Sequence, residues 1–233
     1  MPPNLMRAGV FLAISALAAS AWAADGEAAG RWFLGAEAGY VEHRFETSYD
    51  YLGGGEPDQF VNRAYGGEIA LAFGYSLPLH SRLSLDVLGR IAGNDAEWTL
   101  DTVDEYSGTA RGGPARLAFE MPFFYDALAR PRLILPAGFS AFGEAGLRYG
   151  YQRLKKESEA STRYEISKWT PAFVFGGGLC FEALDNLSIY AVYRYAIFDA
   201  AGTESFFPDG GPWENVEVRS RSQSIGLGMI FVF

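Results

Sequence analysis

The chain has 233 residues, a formal net charge of −9, and 28 glycines, 18 phenylalanines and 13 tyrosines. The acidic excess argues against a protein that binds nucleic acid or an anionic surface through basic patches. Cys180 is the only cysteine, which excludes a small secreted fold stapled by intramolecular disulfides. The glycine and aromatic content favours strands and turns over helices.

The first 23 residues have the features of an export signal. Arg7 precedes an apolar run over 8–19, and Ala-Trp-Ala at 21–23 is a small-x-small cleavage site. The apolar run is too short to cross a bilayer as a helix. We therefore expect residues 1–23 to be a cleaved signal peptide and residues 24–233 to form one domain.

Apolar residues alternate with small or polar residues along the rest of the chain. Alternate side chains of a strand face opposite sides. In chain order the pattern predicts eight strands, at 32–43, 65–77, 82–94, 116–125, 139–153, 169–181, 187–198 and 224–233. The fourth is the least regular, because Pro122 interrupts it, but its alternation still predicts that Phe119, Met121 and Phe123 face lipid, opposite Glu120. Such a pattern is typical of an all-β, eight-stranded antiparallel up-and-down transmembrane β-barrel whose apolar face meets lipid.

The connections between these strands alternate in length, as they do in outer-membrane barrels. Short turns at 78–81 and 183–186 alternate with long polar segments that hold most of the acidic charge, at 46–64, 95–114, 154–168 and 199–217. The segment 127–137 breaks the alternation and has no explanation in this scheme. Aromatic residues fall near the predicted strand ends, where interfacial girdles lie: Trp32, Tyr40, Tyr75, Tyr149, Tyr151, Trp169 and Phe233.

Three stretches, 142–151, 176–195 and the terminal strand 224–233, resemble the small outer-membrane β-barrel family. This family includes the outer membrane protein A membrane domain, the X-type proteins, the opacity proteins and outer membrane protein W. The resemblance implies the outer membrane of a diderm bacterium, with outer-membrane lipid and lipopolysaccharide as partners and no cofactor. It also implies that the barrel assembly machinery recognises the alternating apolar residues of the last strand, Ile225, Leu227, Met229, Phe231 and Phe233.

If the apolar face meets lipid, nine charged side chains point into the barrel: Glu37, Glu68, Asp86, Arg90, Arg116, Glu120, Glu144, Arg148 and Arg194. An eight-stranded barrel is just wide enough for side chains to fill it. We therefore expect these groups to pair with one another as a polar plug. A gated pore lined by the same residues is the alternative.

For function, the sequence favours a non-enzymatic barrel whose surface loops have a structural or adhesive role. The alternatives are a narrow porin-like channel for small or hydrophobic compounds and a lipid A-modifying enzyme. A catalytic site would need one of the two histidines, and His43 with Ser48 or Asp50 is the conceivable set, although a surface position at the rim is the simpler expectation for His43. No P-loop, HExxH, GxSxG or paired-cysteine metal spacing is present. A soluble lipocalin-like barrel, with its apolar face inside, is the structural rival.

Overall fold

The computed structural model describes residues 30–51, 58–103, 114–158, 164–203 and 214–233. No helix in these ranges is long and apolar enough to cross a membrane. The ranges consist almost entirely of strand, in segments β1 (Arg31–Tyr51), β2 (Asp58–His80), β3 (Leu83–Asn94), β4 (Glu97–Val103), β5 (Pro114–Ile134), β6 (Phe139–Ser158), β7 (Tyr164–Leu184), β8 (Leu187–Phe198), β9 (Ala201–Thr203) and β10 (Glu214–Val232).

These segments form one closed antiparallel sheet. Asp95 and Ala96 interrupt a single strand made of β3 and β4, and residues 199–200 interrupt another made of β8 and β9. β1 pairs with β2 on one side and with β10 on the other, so the sheet closes as a ring of eight strands. The predicted eight-stranded antiparallel up-and-down barrel is confirmed.

The ring closes with an offset that sets the strand tilt. Starting at Glu37 and moving from each residue to its direct partner on the next strand, one passes through β2, β3 and β5 and arrives at Gly150 of β6. In the other direction the direct partners lead through β10, β8 and β7 to Ser140 of the same strand, ten residues away. An offset of ten residues over eight strands tilts the strands by about 40°. At this tilt ten residues rise about 25 Å, the height of the apolar band of a membrane barrel.

The outward side chains form an apolar band between two aromatic girdles. Leu71 in the band is 62% exposed. At the end of the short turns, called here the short-turn end, Trp32 stacks on Phe73 with 5.0 Å between ring centroids. At the opposite, long-loop end, Trp169 stacks on Tyr149 at 5.4 Å. A band of exposed large apolar side chains is costly in water and fits lipid, so this is a transmembrane barrel and not a lipocalin.

The segment 127–137 is not a connection, contrary to the sequence prediction. β5 runs on to Ile134, and the turn to β6 is a single 3-10 turn at Pro136–Gly138. Ala137 (φ 62°) and Gly138 (φ 76°) adopt left-handed backbone there, which glycine allows without steric cost. Short turns therefore connect β5 to β6 as well as β2 to β3 and β7 to β8.

A β-bulge changes the faces of β5. Its register against β6 shifts between Glu120 and Phe123, at Pro122, which has no N–H to donate. Phe123 faces outward as predicted, but Phe119 and Met121 are buried inside the ring. The single alternating face predicted through Pro122 is therefore wrong on the long-loop side of this proline.

Candidate functional site

Arg90 of β3 lies at the centre of an ionic network inside the barrel. Its guanidinium donates to Glu37 at 2.8 Å, to Asp126 at 3.0 Å and to Glu68. All four side chains are almost fully buried. The four residues come from β1, β2, β3 and β5, so this arginine ties one half of the ring together.

Glu37 extends the network to the other half of the ring. Arg194 of β8 donates to both of its carboxylate oxygens, at 2.5 and 2.9 Å. The Tyr190 hydroxyl donates to Glu37 Oε2 at 2.9 Å. With Arg90, three side chains converge on this one carboxylate. Gly226 of β10 makes room for it, because a Cβ at Gly226 would lie 2.6 Å from Glu37 Oε1.

Arg148 of β6 forms a two-point pair with Asp126. Its Nε donates to Oδ1 at 2.7 Å and its Nη2 to Oδ2 at 3.0 Å. Arg148 Nη1 also donates to the Ser222 hydroxyl at 3.2 Å. The guanidinium carbon lies 3.6 Å from the centre of the Phe124 ring, a cation–π contact. Such paired geometry offsets much of the cost of burying both charges.

Glu144 of β6 completes the network. It accepts from Arg194 and, at 3.1 and 2.9 Å, from two nitrogens of Arg130. Arg130 also lies over the Phe142 ring at 4.5 Å. The connected groups described here are four arginines and four carboxylates, so their formal charges cancel: Arg90, Arg130, Arg148 and Arg194 with Glu37, Glu68, Asp126 and Glu144.

A separate pair lies nearer the short-turn end. Arg132 donates to Asp86 at 2.9 Å and to the Ser76 hydroxyl at 3.2 Å. Asp86 is buried, while the Arg132 side chain retains 15% exposure.

The structure places seven of the nine predicted interior residues inside the barrel: Glu37, Glu68, Asp86, Arg90, Glu144, Arg148 and Arg194. Glu120 is a correction. It pairs directly with Arg153, faces the same outer side, and forms a partly exposed ion pair with it at 3.3 Å. The bulge at Pro122 is the cause, because it reverses the alternation beyond that point. Arg116 lies in β5, but its side chain is outside the described part of the chain.

Sequence reasoning missed Asp126, Arg130, Arg132 and Tyr190. Arg130 and Arg132 lie in the segment 127–137, for which the sequence scheme had no explanation, and Asp126 lies between this segment and the predicted strand 116–125. Asp126, Leu128, Arg130 and Arg132 alternate with apolar residues, and this signal extends the strand. Tyr190 falls on the polar face of the alternation over 187–198 but was not included among the predicted interior residues.

An apolar layer fills the barrel on the long-loop side of the network. Phe45 of β1 packs on Phe119 of β5 with 3.6 Å between ring centroids, and Val41 and Met121 are fully buried beside them. His43 lies within this layer and has no exposed surface. The expectation of a surface histidine at the rim is wrong, because position 43 falls on the inner face of β1. Ser48 and Asp50 have side chains outside the described residues.

No cluster of three or more His, Cys, Asp or Glu that could hold a metal ion occurs in the described ranges. On β10, the five residues of the predicted assembly signal alternate on the outer face, from Ile225 (62% exposed) to Phe233 (65% exposed). Their side chains are therefore available to a partner or to lipid.

No family model and no curated protein matches the chain. Among solved structures, it is similar to outer membrane protein OprG from Pseudomonas aeruginosa, with TM-score 0.47, 11% identity, and coverage of 89% of this chain and 98% of that one. Neisserial surface protein A has TM-score 0.44 and 13% identity, with 87% and 97% covered. The attachment invasion locus protein of Yersinia pestis has TM-score 0.38 and 16% identity, with 84% and 99% covered.

Proposed function

We propose that this protein is a non-enzymatic outer-membrane barrel that anchors its long-loop end at the cell surface and does not conduct. The observation that carries the proposal is the neutral ionic network that joins both halves of the ring. The loops at the long-loop end then carry a structural or adhesive role. Residues 52–57, 104–113, 159–163 and 204–213, which belong to these connections, lie outside the described part of the chain.

Two layers support a closed interior. Arg90 and Arg194 reach across the ring to carboxylates of several strands. Removing one partner of such a buried ion pair costs about 3–5 kcal/mol. The apolar layer around Phe45 and Phe119 adds a second barrier, because an ion entering it would exchange most of its hydration for contact with apolar side chains. A solute entering from the long-loop side would have to displace both layers.

A planar-bilayer conductance measurement tests the closed state. The purified barrel should give no stable open-channel steps. Glu37→Ala should give flickering steps, because it leaves the Tyr190 hydroxyl without its acceptor and removes one carboxylate partner each from Arg194 and Arg90. The matched control is Arg153→Gln, an outward and partly exposed position, which should stay silent. Regular steps from the unmodified protein would instead favour the narrow porin-like channel.

The absence of catalysis is the second part of the proposal. His43, the histidine of the conceivable catalytic set, is fully buried on the inner face of β1 and therefore does not meet lipid. Lipid A extracted from cells with and without the protein should therefore give identical mass spectra. A new deacylated or acylated species, lost in a folded His43→Ala variant, would refute this part.

Membrane placement and the loop role are tested separately. The protein should sediment with outer membranes and change its gel mobility on boiling, whereas material in the soluble fraction would contradict the placement. Deletion of residues 202–214 should reduce attachment of expressing cells to a protein-coated surface without changing the gel shift. Unchanged attachment would remove this loop from the proposal.

A further inference from the structure

Three arginines lie side by side on the outside of the barrel. Arg44 of β1 is the direct partner of Arg63 of β2 on one side and of Arg221 of β10 on the other. Directly paired residues share a face, and neighbouring strands are about 4.8 Å apart. These three residues, called here the arginine row, therefore span about 10 Å across three strands.

The arginine row lies just beyond the aromatic girdle of the long-loop end. Towards the long-loop end, the outward positions of β1 are Tyr40, Glu42 and Arg44 in turn. On β2, which runs the opposite way, Arg63 is the next outward position beyond Tyr65 in the same direction. The rings of Tyr40 and Tyr65 stack at 6.2 Å. Four residues at the strand tilt raise Arg44 by about 10 Å above Tyr40. Interfacial aromatic side chains mark the edge of the hydrocarbon, and the headgroup layer beyond it is about 5–7 Å thick on each side. The backbone of Arg44 therefore lies just outside this layer, and its long side chain can reach back into it.

Nearby carboxylates balance the arginine row only in part. Arg44 pairs with Glu46 at 3.3 Å and Arg63 with Glu42 at 3.4 Å, and the arginine side chain of each pair is exposed. Arg221 is exposed and has no ion pair among the described side chains. Like charges directly opposite one another destabilise a sheet. In water alone, the repulsion among the three arginines would destabilise the sheet without an interaction that fully compensates for it.

The opposite side of the barrel has carboxylates beside its arginine, because Glu120 forms an ion pair with Arg153 there. At the corresponding level Glu97 of β4 is the direct partner of Glu120 of β5. The overall charge of −9 conceals this asymmetry, and for that reason composition alone argued against any anionic surface as a partner.

We propose that the arginine row binds the phosphate groups of an anionic lipid headgroup in the leaflet at the long-loop end. Guanidinium groups bind phosphate through paired, charge-assisted hydrogen bonds, and a span of about 10 Å accommodates a headgroup with two phosphates. The phosphates neutralise the repulsion among the three arginines. The inference rests on the membrane placement proposed above and adds a defined site and lipid class to it.

The test measures lipid binding by the folded protein in neutral detergent. Diphosphoryl lipid A is titrated against the unmodified barrel and against Arg44→Gln/Arg221→Gln, with bound lipid counted by native mass spectrometry. At about 1 kcal/mol per basic residue near a membrane surface, the double variant should bind about 30-fold more weakly. Arg153→Gln, at the same level on the other side, should change the affinity less than about 2-fold, and inorganic phosphate should not displace the lipid.

Three outcomes would overturn the inference. Equal weakening by Arg153→Gln would reduce the effect to net charge. Loss of binding on chelation of divalent cations would assign the lipid to carboxylates bridged by metal. Unchanged affinity in the double variant, with a normal heat-dependent gel shift, would show that the arginine row does not hold the lipid, while leaving the membrane placement intact.

Discussion

Replacing Arg148 by methionine removes one cation from the ionic network while keeping most of the side-chain volume. Asp126 Oδ1 loses its donor, and Oδ2 keeps only its bond from Arg90. Breaking a buried pair in this way costs about 3–5 kcal/mol. Methionine retains a contact with Phe124 worth up to about 1 kcal/mol in place of the cation–π contact. We expect the free energy of unfolding to fall by about 3–5 kcal/mol.

The assay is urea unfolding of the barrel in lipid vesicles, followed by tryptophan emission and by the heat-dependent gel shift. The double variant Arg148→Met/Asp126→Leu restores neutrality, because it removes one charge of each sign, and should be more stable than Arg148→Met alone. Arg153→Gln breaks the exposed pair with Glu120 and should cost less than about 1 kcal/mol. A loss below about 1 kcal/mol for Arg148→Met, or a double variant as unstable as the sum of its singles, would refute the reasoning.

Three further predictions follow from the two faces of the sheet. Gly146→Ala should destabilise the barrel by about 1–3 kcal/mol in the urea titration, because its Cβ would lie 2.9 Å from a backbone carbon of β5. Gly89→Ala should be neutral in the same titration, because its Cβ would meet no atom within 4 Å. Phe233→Ala should leave unfolding of the purified barrel unchanged but lower the amount assembled in cells, measured by quantitative blotting of outer membranes; a matching loss of stability in vitro would contradict a role in assembly. Spin labels at Leu71 and Leu147 should be relaxed by lipid-soluble oxygen and not by aqueous reagents, and the opposite result would place the apolar face in water.

The sequence predicted the ring because alternation of apolar and polar residues is a local property of each strand. Leu71 and Glu68 lie on opposite faces of β2 as their spacing requires. The lengths of the strands were harder to predict from the sequence, because several strands extend beyond the predicted bounds. β1 continues to Tyr51, beyond the membrane band, into residues that their polar composition had assigned to a long connection.

The fourth strand shows what the pattern could not supply. Pro122 was recognised as an interruption of the strand. A bulge, however, inserts an extra residue, and the sequence pattern does not show at which residue the inward and outward side chains exchange. Phe119 and Met121 were consequently assigned to lipid and Glu120 to the interior, each the reverse of what is found. The burial of His43, in contrast, agrees with the alternation of β1, because position 43 falls on the same inner face as Glu37 and Val41.

Glu37 and Arg194 are separated by 157 residues in the chain. Tyr190 reaches the same carboxylate across the join between the first and last strands. Hairpins made in succession along the chain cannot form these two contacts, so they require the N-terminal and C-terminal strands to meet. We therefore expect a barrel that closes in the wrong register to leave Glu37 and Arg194 poorly paired, which is costly for buried charges.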